Sequence, residues 1–356
     1  MAGKPTIDDV ARIAQVSRQT VSNVVNSPEI VRPETRARVE DAIGQLGYRP
    51  HASARRLRSQ KSSTIGIRLA AMGDGISGSV LDRFLHALTE GAYARGMRVL
   101  LFTADDDAGE IEQIERLRDD RDADAFVLTS TSHSDLRTRW LLDQGIPFVT
   151  FGRPWAADDM GDPMHHWVDV DGRAGLRAAA EHLIATGARR VAYLGWPSPS
   201  ATGDDRRRGW ADAMSSRGAS ESELASLSIE AEEDVTAARV AVAEFLDRRP
   251  DVDAIATASD SLALGALIAT TALGRTDVAI TGFDNTPVAA AVGLTSVEQR
   301  LGMVADGVLE LLMGVSGRDI SMREPRPGEA HRLVTPELVV RGSGGGERPV
   351  PVVDPM

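Results

Sequence analysis

The side chains best suited to recognising a macromolecule stand close together near the amino terminus. Arg18, Gln19 and Asn23 would share one face of a short helix, because residues four apart in a helix are neighbours. In the major groove of DNA an arginine can bond guanine with two donors, and glutamine or asparagine can pair with adenine. The spacing therefore predicts a helix whose polar face reads base pairs. The alternative is a small solvated helical bundle whose polar face binds nothing.

The surrounding sequence supplies the helices that must position this face. Thr6 and Ser17 can each cap a helix, and the valines that follow Ser17 give the second helix a buried side. Pro33 suits the first turn of a third helix. These signals predict an all-α helix-turn-helix head whose second helix enters the major groove. The side chains expected to contact bases or phosphates in the head are Thr6, Ser17, Arg18, Gln19, Thr20, Ser22, Asn23 and Asn26.

A short basic segment follows the three helices. It spans residues 51–59 approximately and carries arginines around a single leucine, Leu57. Such a segment is too short to be a stable helix alone, but it can fold against the minor groove and insert its leucine between base steps. The residues expected to contact DNA there are Ala54, Arg55, Leu57 and Arg58. The alternative is a charged linker with an incidental leucine.

The charge of the chain is divided unevenly. The net charge is −12, yet residues 1–62 hold 11 Lys and Arg against 6 Asp and Glu. A basic head on an acidic body is typical of a nucleic-acid module attached to another function. The chain has no cysteine, which excludes disulfides and cysteine-ligated metals. It has no apolar run of membrane-spanning length and no signal-peptide core, so we expect a cytoplasmic protein with no membrane partner.

From residue 63 onward, short apolar runs alternate with helical stretches. This order predicts parallel βαβ units, with helices on both faces of the sheets, in an α/β body of two halves. Such sheets bind ligands in the crevice beyond the carboxyl ends of their strands. The predicted strands are residues 65–70, 99–103, 125–129, 148–151, 191–194, 254–258 and 278–283.

Two motifs suggest chemistry that the rest of the chain does not favour. Residues 73–78 match the GxGxxG dinucleotide fingerprint, but Asp105 lies 27 residues beyond Gly78, too far to be the usual ribose ligand. His165 and His166 would point to opposite sides of a strand, which disfavours a metal site. No nucleophile stands with a base at catalytic spacing. We therefore predict no enzyme activity, no catalytic residue, no metal and no cofactor.

The head and the body together resemble the lactose-repressor (LacI/GalR) family. The matching motifs include Thr6-Ile7, Asp9-Val10-Ala11, Val16-Ser17, Thr20-Val21-Ser22, Leu46-Gly47-Tyr48, Ala54-Arg55, Asp169-Val170-Asp171-Gly172, Gly209-Trp210 and Gly282-Phe283-Asp284. The resemblance implies a hinge helix with a minor-groove leucine, and a periplasmic-binding-protein-like effector domain of two subdomains. It also implies three chain crossings between these subdomains, near residues 171, 298 and 326.

The resemblance implies that Arg206 and Asp284 hydrogen-bond the effector. An arginine fork and a carboxylate suit vicinal hydroxyls, and Trp167 or Trp196 would be the apolar platform on which a sugar stacks, unless both are core residues. Additional candidates, for which surface salt bridges are the alternative, are Asp74, Arg153, Asp205, Asp260 and Asn285. Gly152 and Ser259 stand where relatives place a carboxylate and an asparagine, so the identity of the ligand cannot be transferred.

The expected organisation is a head at residues 1–62, an effector and dimerisation domain at residues 63–343 and a flexible tail at residues 344–356. Subdomain one would hold residues 63–171 with 298–325, and subdomain two residues 172–297 with 326–343. Apolar helices near residues 80–93 and 304–313 would form the homodimer. The predicted function is a repressor that a small saccharide releases from a palindromic operator. The alternatives are a corepressor-dependent regulator that binds a purine or another metabolite, and a sugar sensor without specific DNA readout.

Overall fold

The structure is a computed structural model of the 356-residue chain. It describes residues 5–26, 28–48, 62–69, 78–133, 135–155, 160–313, 320 and 330–344, but not the side chains of Asn26 and Glu29. The chain divides into two compact units, residues 1–62 and residues 63–356, and each is described by itself.

The described helices of both units are α1 (Ile7–Ala14), α2 (Arg18–Asn26), α3 (Pro33–Leu46), α4 (Gly78–Ala94), α5 (Asp107–Asp119), α6 (Leu136–Asp143), α7 (Gly172–Ala185), α8 (Ala201–Ser215), α9 (Glu221–Ser226), α10 (Val235–Arg248), α11 (Asp260–Ala272), α12 (Pro287–Ala291) and α13 (Leu301–Met313). Single 3-10 turns lie at Pro28–Ile30 and Gly342–Gly344. In the described part of the chain, none of these helices combines the length and the apolar character needed to cross a bilayer.

The first unit is the three-helix head that the sequence predicts. Thr6 caps α1 in a reciprocal box with Asp9, and these hydrogen bonds lower the pKa of Asp9 to about 2. The Oγ of Ser17 accepts a hydrogen bond from the backbone N–H of Thr20 at 3.0 Å, which satisfies a free donor at the start of α2. Val10, Val21 and Val39, one from each helix, are buried together. These contacts fix α2 in the head by its apolar side and leave its polar side outward.

The second unit contains two six-stranded sheets. The strands are β1 (Thr64–Arg68), β2 (Arg98–Phe102), β3 (Ala125–Leu128), β4 (Phe148–Phe151), β5 (Trp167–Val170), β6 (Val191–Gly195), β7 (Ser228–Glu230), β8 (Ala254–Thr257), β9 (Ala279–Phe283), β10 (Thr295–Glu298), β11 (His331–Val334) and β12 (Glu337–Val339). The first sheet, in the order β11-β5-β4-β3-β1-β2, is wholly parallel. The second sheet has the order β12-β10-β9-β8-β6-β7, and only β12 runs antiparallel to its neighbour.

The expected fold class, a helix-turn-helix head on a two-sheet α/β body, is confirmed. We call the part of the body around the first sheet subdomain one and the part around the second sheet subdomain two. The chain passes between them after β5, after β10 and between β11 and β12.

The predicted third crossing, near residue 326, is wrong. β11 pairs with β5 in the first sheet, with His331 opposite Trp167 and Val334 opposite Val170. Residues 331–334 therefore belong to subdomain one, and the chain crosses at residues 335–336. The sequence conceals this strand because it lies at the sheet edge and two of its four residues are exposed.

The apolar side of residues 304–313, predicted as part of the dimer face, is covered within the chain itself. In α13, Val304, Val308 and Leu309 are fully buried within a single chain, where the helix packs against α4 and the first sheet. A side that the chain itself covers is not available to a partner. Residues 80–93 within α4 remain partly open, since Tyr93 is 83% exposed.

Candidate functional site

The outward side of α2 carries the predicted base-reading residues. Arg18 and Gln19 are exposed, and Gln19 Nε2 donates a hydrogen bond to Asn23 Oδ1 at 2.9 Å. The Arg18 Nε atom lies 3.9 Å from Asp8 Oδ1, a distance at which the exposed pair holds the arginine only weakly. Arg18, Gln19 and Asn23 thus present their polar groups together on the outward side of α2. The side chain of Asn26 and the whole of Ala54, Arg55, Leu57 and Arg58 lie outside the described residues.

A cavity of about 270 Å³ lies between the two subdomains of the body. Subdomain one supplies residues at the carboxyl ends of β3, β4 and β5, where parallel sheets bind ligands. Subdomain two supplies the first residue of α7 and the first two turns of α8. The residues that line it are Val80, Leu81, Thr129, Ser130, Thr131, Phe151, Gly152, Arg153, Trp155, Asp169, Val170, Gly172, Thr202, Asp205, Arg206 and Gln299.

Arg206 is the buried cation of this cavity. Its Nη1 atom donates to the carbonyl of Ala258 at 2.5 Å and lies 3.7 Å from Asp284 Oδ1. Its guanidinium carbon sits 3.7 Å from the centre of the Phe283 ring, which fixes the plane of the fork. Its buried Nε finds no hydrogen-bond acceptor in the part of the chain that the structure describes. Arg206 therefore lines the cavity and retains one buried donor without a partner among the described residues.

Asp284 lies behind Arg206 and is withdrawn from solvent. Its Oδ1 accepts a hydrogen bond from Gln299 Nε2 at 2.5 Å. Burial raises the pKa of Asp284 to about 8, against the opposing effect of the Arg206 charge. The carboxyl group is thus largely protonated near neutral pH and can donate as well as accept.

Arg153 connects the two walls of the cavity. Its Nε donates to Asp169 in subdomain one, and its Nη2 donates to Asp205 in subdomain two, each at 2.7 Å. Burial alone would lower the pKa of Arg153, but the two carboxylates raise it above the ordinary arginine value, so the guanidinium stays charged. The predicted candidates Arg153 and Asp205 therefore line the cavity as an ion pair across it.

Three other candidates do not line the cavity. Trp167 is not one of the described residues that line the cavity. Its ring stacks on the ring of His331, with ring centres 4.9 Å apart, so it is a packing residue. Trp196 lies behind Arg206, and its Nε1 donates to Glu233. Asp260 accepts from Ser296 and the Thr286 backbone, and its burial raises its pKa.

Two predicted candidates remain, Asn285 and Asp74. Asn285 bonds Glu298 at 2.8 Å and accepts from Arg341 at 2.7 Å, so it braces subdomain two instead of facing the cavity. Asp74 lies outside the described residues, as do residues 73–77 of the GxGxxG motif.

Two residues with prominent contacts were not predicted as site residues. Trp155 follows β4 and lines the cavity, and its position beyond the carboxyl end of a parallel strand is the signal that identifies it. Glu233 accepts hydrogen bonds from Trp196 and from Ser259, the latter at 2.9 Å. Its place in a loop before α10 gave no such signal.

A buried ion network supports one wall of the cavity. Arg137, which is 1% exposed, donates to Asp135 at 2.5 Å and to Glu110 at 2.7 Å. Its Nη2 atom also donates to the carbonyls of Thr129 and Ser130, both of which line the cavity. The network thus holds the loop after β3 in one conformation.

The two adjacent histidines are buried and show no metal-site arrangement. Burial lowers the pKa of His165 to about 4 and also lowers the pKa of His166, so both are neutral near pH 7. His165 Nε2 lies 3.3 Å from Thr150 Oγ1. Within the described ranges, no group of three or more His, Asp or Glu residues could hold a metal ion.

Family models match both parts of the chain. Residues 6–51 match "Bacterial regulatory proteins, lacI family", and residues 78–312 match "Periplasmic binding proteins and sugar binding domain of LacI family". Among curated relatives, the HTH-type transcriptional regulator CelR of Thermobifida fusca is 33% identical, covering 87% of this chain and 91% of its own. The ribose operon repressor of Halalkalibacterium halodurans is 29% identical and covers 96% and 98%.

Solved structures show the same architecture. A complex of the transcriptional regulator CelR with cellobiose has a TM-score of 0.65 at 28% identity, covering 95% of this chain and 99% of its own. A LacI-family regulatory protein from Chloroflexus aggregans has a TM-score of 0.67 at 32% identity, covering 80% and 99%. The lac repressor dimer bound to operator and the anti-inducer ONPF has a TM-score of 0.75, covering 96% and 99%; at 22% identity it shows the fold alone.

Proposed function

Since the chain belongs to the LacI family of bacterial regulatory proteins, we propose that it is a cytoplasmic homodimeric repressor that a neutral saccharide releases from operator DNA. The two family matches cover the head and most of the body, and the relatives are transcriptional regulators rather than enzymes. The chain is a DNA-binding transcriptional regulator. The effector and the residues that bind it are the proposal.

The observation that carries the saccharide assignment is the spare donor of Arg206. A buried arginine whose Nε lacks an acceptor among the described residues is costly unless a ligand completes its bonding. Beside it, the carboxyl group of Asp284 has both donor and acceptor capacity near neutral pH. Sugar hydroxyls donate and accept in the same way, so a hydroxyl can complete the bonding of Arg206 while Asp284 supports the guanidinium from behind.

The charge balance of the cavity disfavours an anionic effector. Its two cations, Arg153 and Arg206, are matched by two lining carboxylates, Asp169 and Asp205. Both donors of Arg153 that face these carboxylates are already used, at 2.7 Å each. A phosphorylated metabolite would therefore meet two carboxylates and one partly committed arginine, which is an unfavourable environment for a second anion.

For the DNA interface we assign base reading to Arg18, Gln19 and Asn23. Thr6, Ser17, Thr20, Ser22 and Asn26 are assigned to phosphates and to holding the helices. Ala54, Arg55, Leu57 and Arg58 are assigned to the minor groove on the sequence alone. Two such heads would read a roughly palindromic operator, because the symmetry of a dimer is mirrored in its site.

Control by the saccharide requires that it prefer one arrangement of the two subdomains. Arg206, which is proposed to bond it, belongs to subdomain two, while most of the lining wall comes from subdomain one. A ligand that contacts both walls favours the closed arrangement by its differential affinity, and it changes operator binding by no more than that.

The test begins with selection of operator sites from random duplexes. Binding of the selected duplex is then measured with cellobiose, ribose, galactose, purines and phosphorylated sugars. Arg206→Met is compared with Arg207→Met, because Arg207 is next to it on α8 but bonds Ser228 outside the cavity. We expect a neutral saccharide to release wild-type protein and Arg207→Met, but to release Arg206→Met at least 30-fold less effectively.

Three results would contradict the proposal in different ways. Release by a purine or by a phosphorylated sugar alone would refute the neutral saccharide. Normal saccharide response in Arg206→Met would refute the assignment of Arg206. Failure to recover any operator site would refute specific DNA binding.

A further inference from the structure

Trp155 combines three features that are unusual in one residue. It lines the cavity between the subdomains, and its indole lies against the Arg153 guanidinium, 4.4 Å from carbon to ring centre. Its backbone has φ of +63°, a conformation that side-chain-bearing residues adopt rarely. Its Nε1 is buried, and within the described part of the chain it has no acceptor.

Both the backbone conformation and the unmade hydrogen bond cost free energy. A backbone in the left-handed region and a buried donor without an acceptor are each unfavourable. Neither is offset by burial in the core, because Trp155 remains partly exposed at the cavity wall. Strain retained beside a cavity points to a role in binding.

The other aromatic side chains near the cavity are already engaged. Phe151 lines it but packs on Phe84, with ring centres 4.7 Å apart. Trp196 is held behind Arg206 by its bond to Glu233. Of the described aromatic residues, only Phe151 and Trp155 line the cavity, and only Trp155 has a free polar atom.

We propose that Trp155 is the aromatic platform of the effector site, and that its Nε1 donates a hydrogen bond to a saccharide hydroxyl. This assignment rests on the proposed function. Arg153 covers one side of the ring, and the apolar C–H face of a sugar packs on the other. Trp155, rather than Trp167 or Trp196, is then the residue that distinguishes a sugar from a polar ligand without an apolar face.

The platform is also tied to the arrangement of the two subdomains. Arg153, which orients the ring, bonds Asp205 across the cavity at 2.7 Å. If the cavity opens, this bond breaks and the ring loses a support. The saccharide therefore meets a fully oriented platform only in the closed arrangement, which gives it the state preference that regulation needs.

The test uses the full-length protein and calorimetric titration with cellobiose and the other neutral saccharides named above. Trp155→Phe keeps a ring but removes the donor, and we expect binding about 3- to 10-fold weaker. Trp155→Leu removes the ring as well, and we expect binding at least about 30-fold weaker. Trp167→Phe is the matched control, because that ring is stacked on His331 away from the cavity.

Tryptophan fluorescence gives a second readout that a merely structural role would not change. The saccharide should alter the emission of wild-type protein and of Trp167→Phe, and this change should be lost in Trp155→Phe. Thermal melting midpoints identify any variant that fails to fold. If Trp155→Leu does not fold, the binding measured for Trp155→Phe tests the proposal.

The outcomes separate this proposal from the one on which it rests. Saccharide binding that is lost in Arg206→Met but unchanged in both Trp155 variants overturns the platform alone. If wild-type protein binds none of the neutral saccharides, the proposed function and the platform are both overturned.

Discussion

At the level of single residues, recognition depends on donors and acceptors that the fold leaves uncommitted. On α2, Gln19 is exposed and donates a hydrogen bond to Asn23 on the same helix, at 2.9 Å. In the cavity, Arg206 and Trp155 each have a buried N–H without an acceptor among the described residues. Arg153, by contrast, uses its donors on Asp169 and Asp205 and serves to hold other groups.

Replacement of Gln19 tests base reading in the head. Gln19→Ala removes an amide that we assign to a base edge, and we expect a loss of about 1–3 kcal/mol in operator binding. The preferred base at one symmetric pair of positions should relax. Gln45→Ala is the control, since Gln45 is an exposed glutamine on α3. Selection from random duplexes measures both; an unchanged site preference in Gln19→Ala would rule out its contact with a base.

The buried carboxyl of Asp284 predicts a pH dependence of stability. Its pKa is about 8 in the folded chain and 3.8 as the ordinary value, so between these values the folded chain binds more protons than the unfolded chain. The free energy of unfolding contributed by Asp284 therefore falls as pH rises from 4 to 8. Asp284→Asn, which resembles the protonated form, should become progressively more stable than wild type over this range.

Melting midpoints at pH 5 and pH 8 measure this difference. Asp277→Asn is the control, because an exposed bond to Arg275 lowers the pKa of Asp277 and places its effect below this range. A constant difference between Asp284→Asn and wild type at the two pH values would show that the pKa of Asp284 is not raised.

At the level of elements, the cavity depends on how closely α7 and α8 approach. A Cβ at Gly209 of α8 would lie 2.0 Å from the backbone carbonyl oxygen of Arg173 on α7. The same two helices supply Gly172 and Arg206 to the cavity wall. Glycine at this crossing thus allows the close approach that sets the relative positions of Gly172 and Arg206 in one wall of the cavity.

We expect Gly209→Ala to destabilise the body by about 3 kcal/mol, because backbone atoms must move to relieve the contact. Gly302→Ala on α13 is the control: nothing described lies within 4 Å of its Cβ, so the substitution should be neutral or slightly stabilising. Urea denaturation measures both. Equal stability of the two variants would mean that the helices separate without cost.

The elements also show what the sequence could predict. The head follows from local signals: a cap at Thr6, a cap at Ser17 and a proline at Pro33 all stand where the helices begin. In the body, β5, β7, β10, β11 and β12 were missed. Each has only three or four residues, one of them charged, so none forms the apolar run by which a buried strand is recognised. These segments are strands because they pair with neighbouring strands in the sheets, which the local sequence does not show.

The residues of the site, like the elements, could be predicted only in part from the sequence. Arg206, Arg153 and Asp205 could be named from residue type and resemblance, and the structure brings all three to the cavity. The choice of tryptophan could not be made, because exclusion of Trp167 depends on its stacking against His331, more than 160 residues later in the chain. Contacts of that range leave no local pattern.

At the level of the whole molecule, Arg83 is a second connection between the subdomains. From α4 in subdomain one it donates to the carbonyls of Asp284 and Asn285 at 3.0 and 3.2 Å. It also donates to both carboxylate oxygens of Glu298, at 2.8 and 2.9 Å. This arginine joins subdomain one to the loop that carries Asp284.

We expect Arg83→Met to destabilise the body by about 2 kcal/mol and to favour the open arrangement, because charged hydrogen bonds across the subdomains are lost. Small-angle scattering should then report a larger radius of gyration. Arg95→Met is the control, since Arg95 directly follows the same helix but pairs with Asp306 within subdomain one. If the two variants scatter alike, Arg83 does not hold the subdomains together.

The late return of the chain to the first sheet has a consequence for its synthesis. β5 ends at Val170, but α13, which covers one face of that sheet, and β11, which completes its edge, come only after residue 300. At ordinary translation rates of about 5–20 residues per second, the ribosome needs roughly 10–30 s to supply them. During that time the part of this sheet that packs against α13, which includes Val168 of β5, is exposed. A nascent chain of this protein should therefore need a chaperone until its last strands emerge.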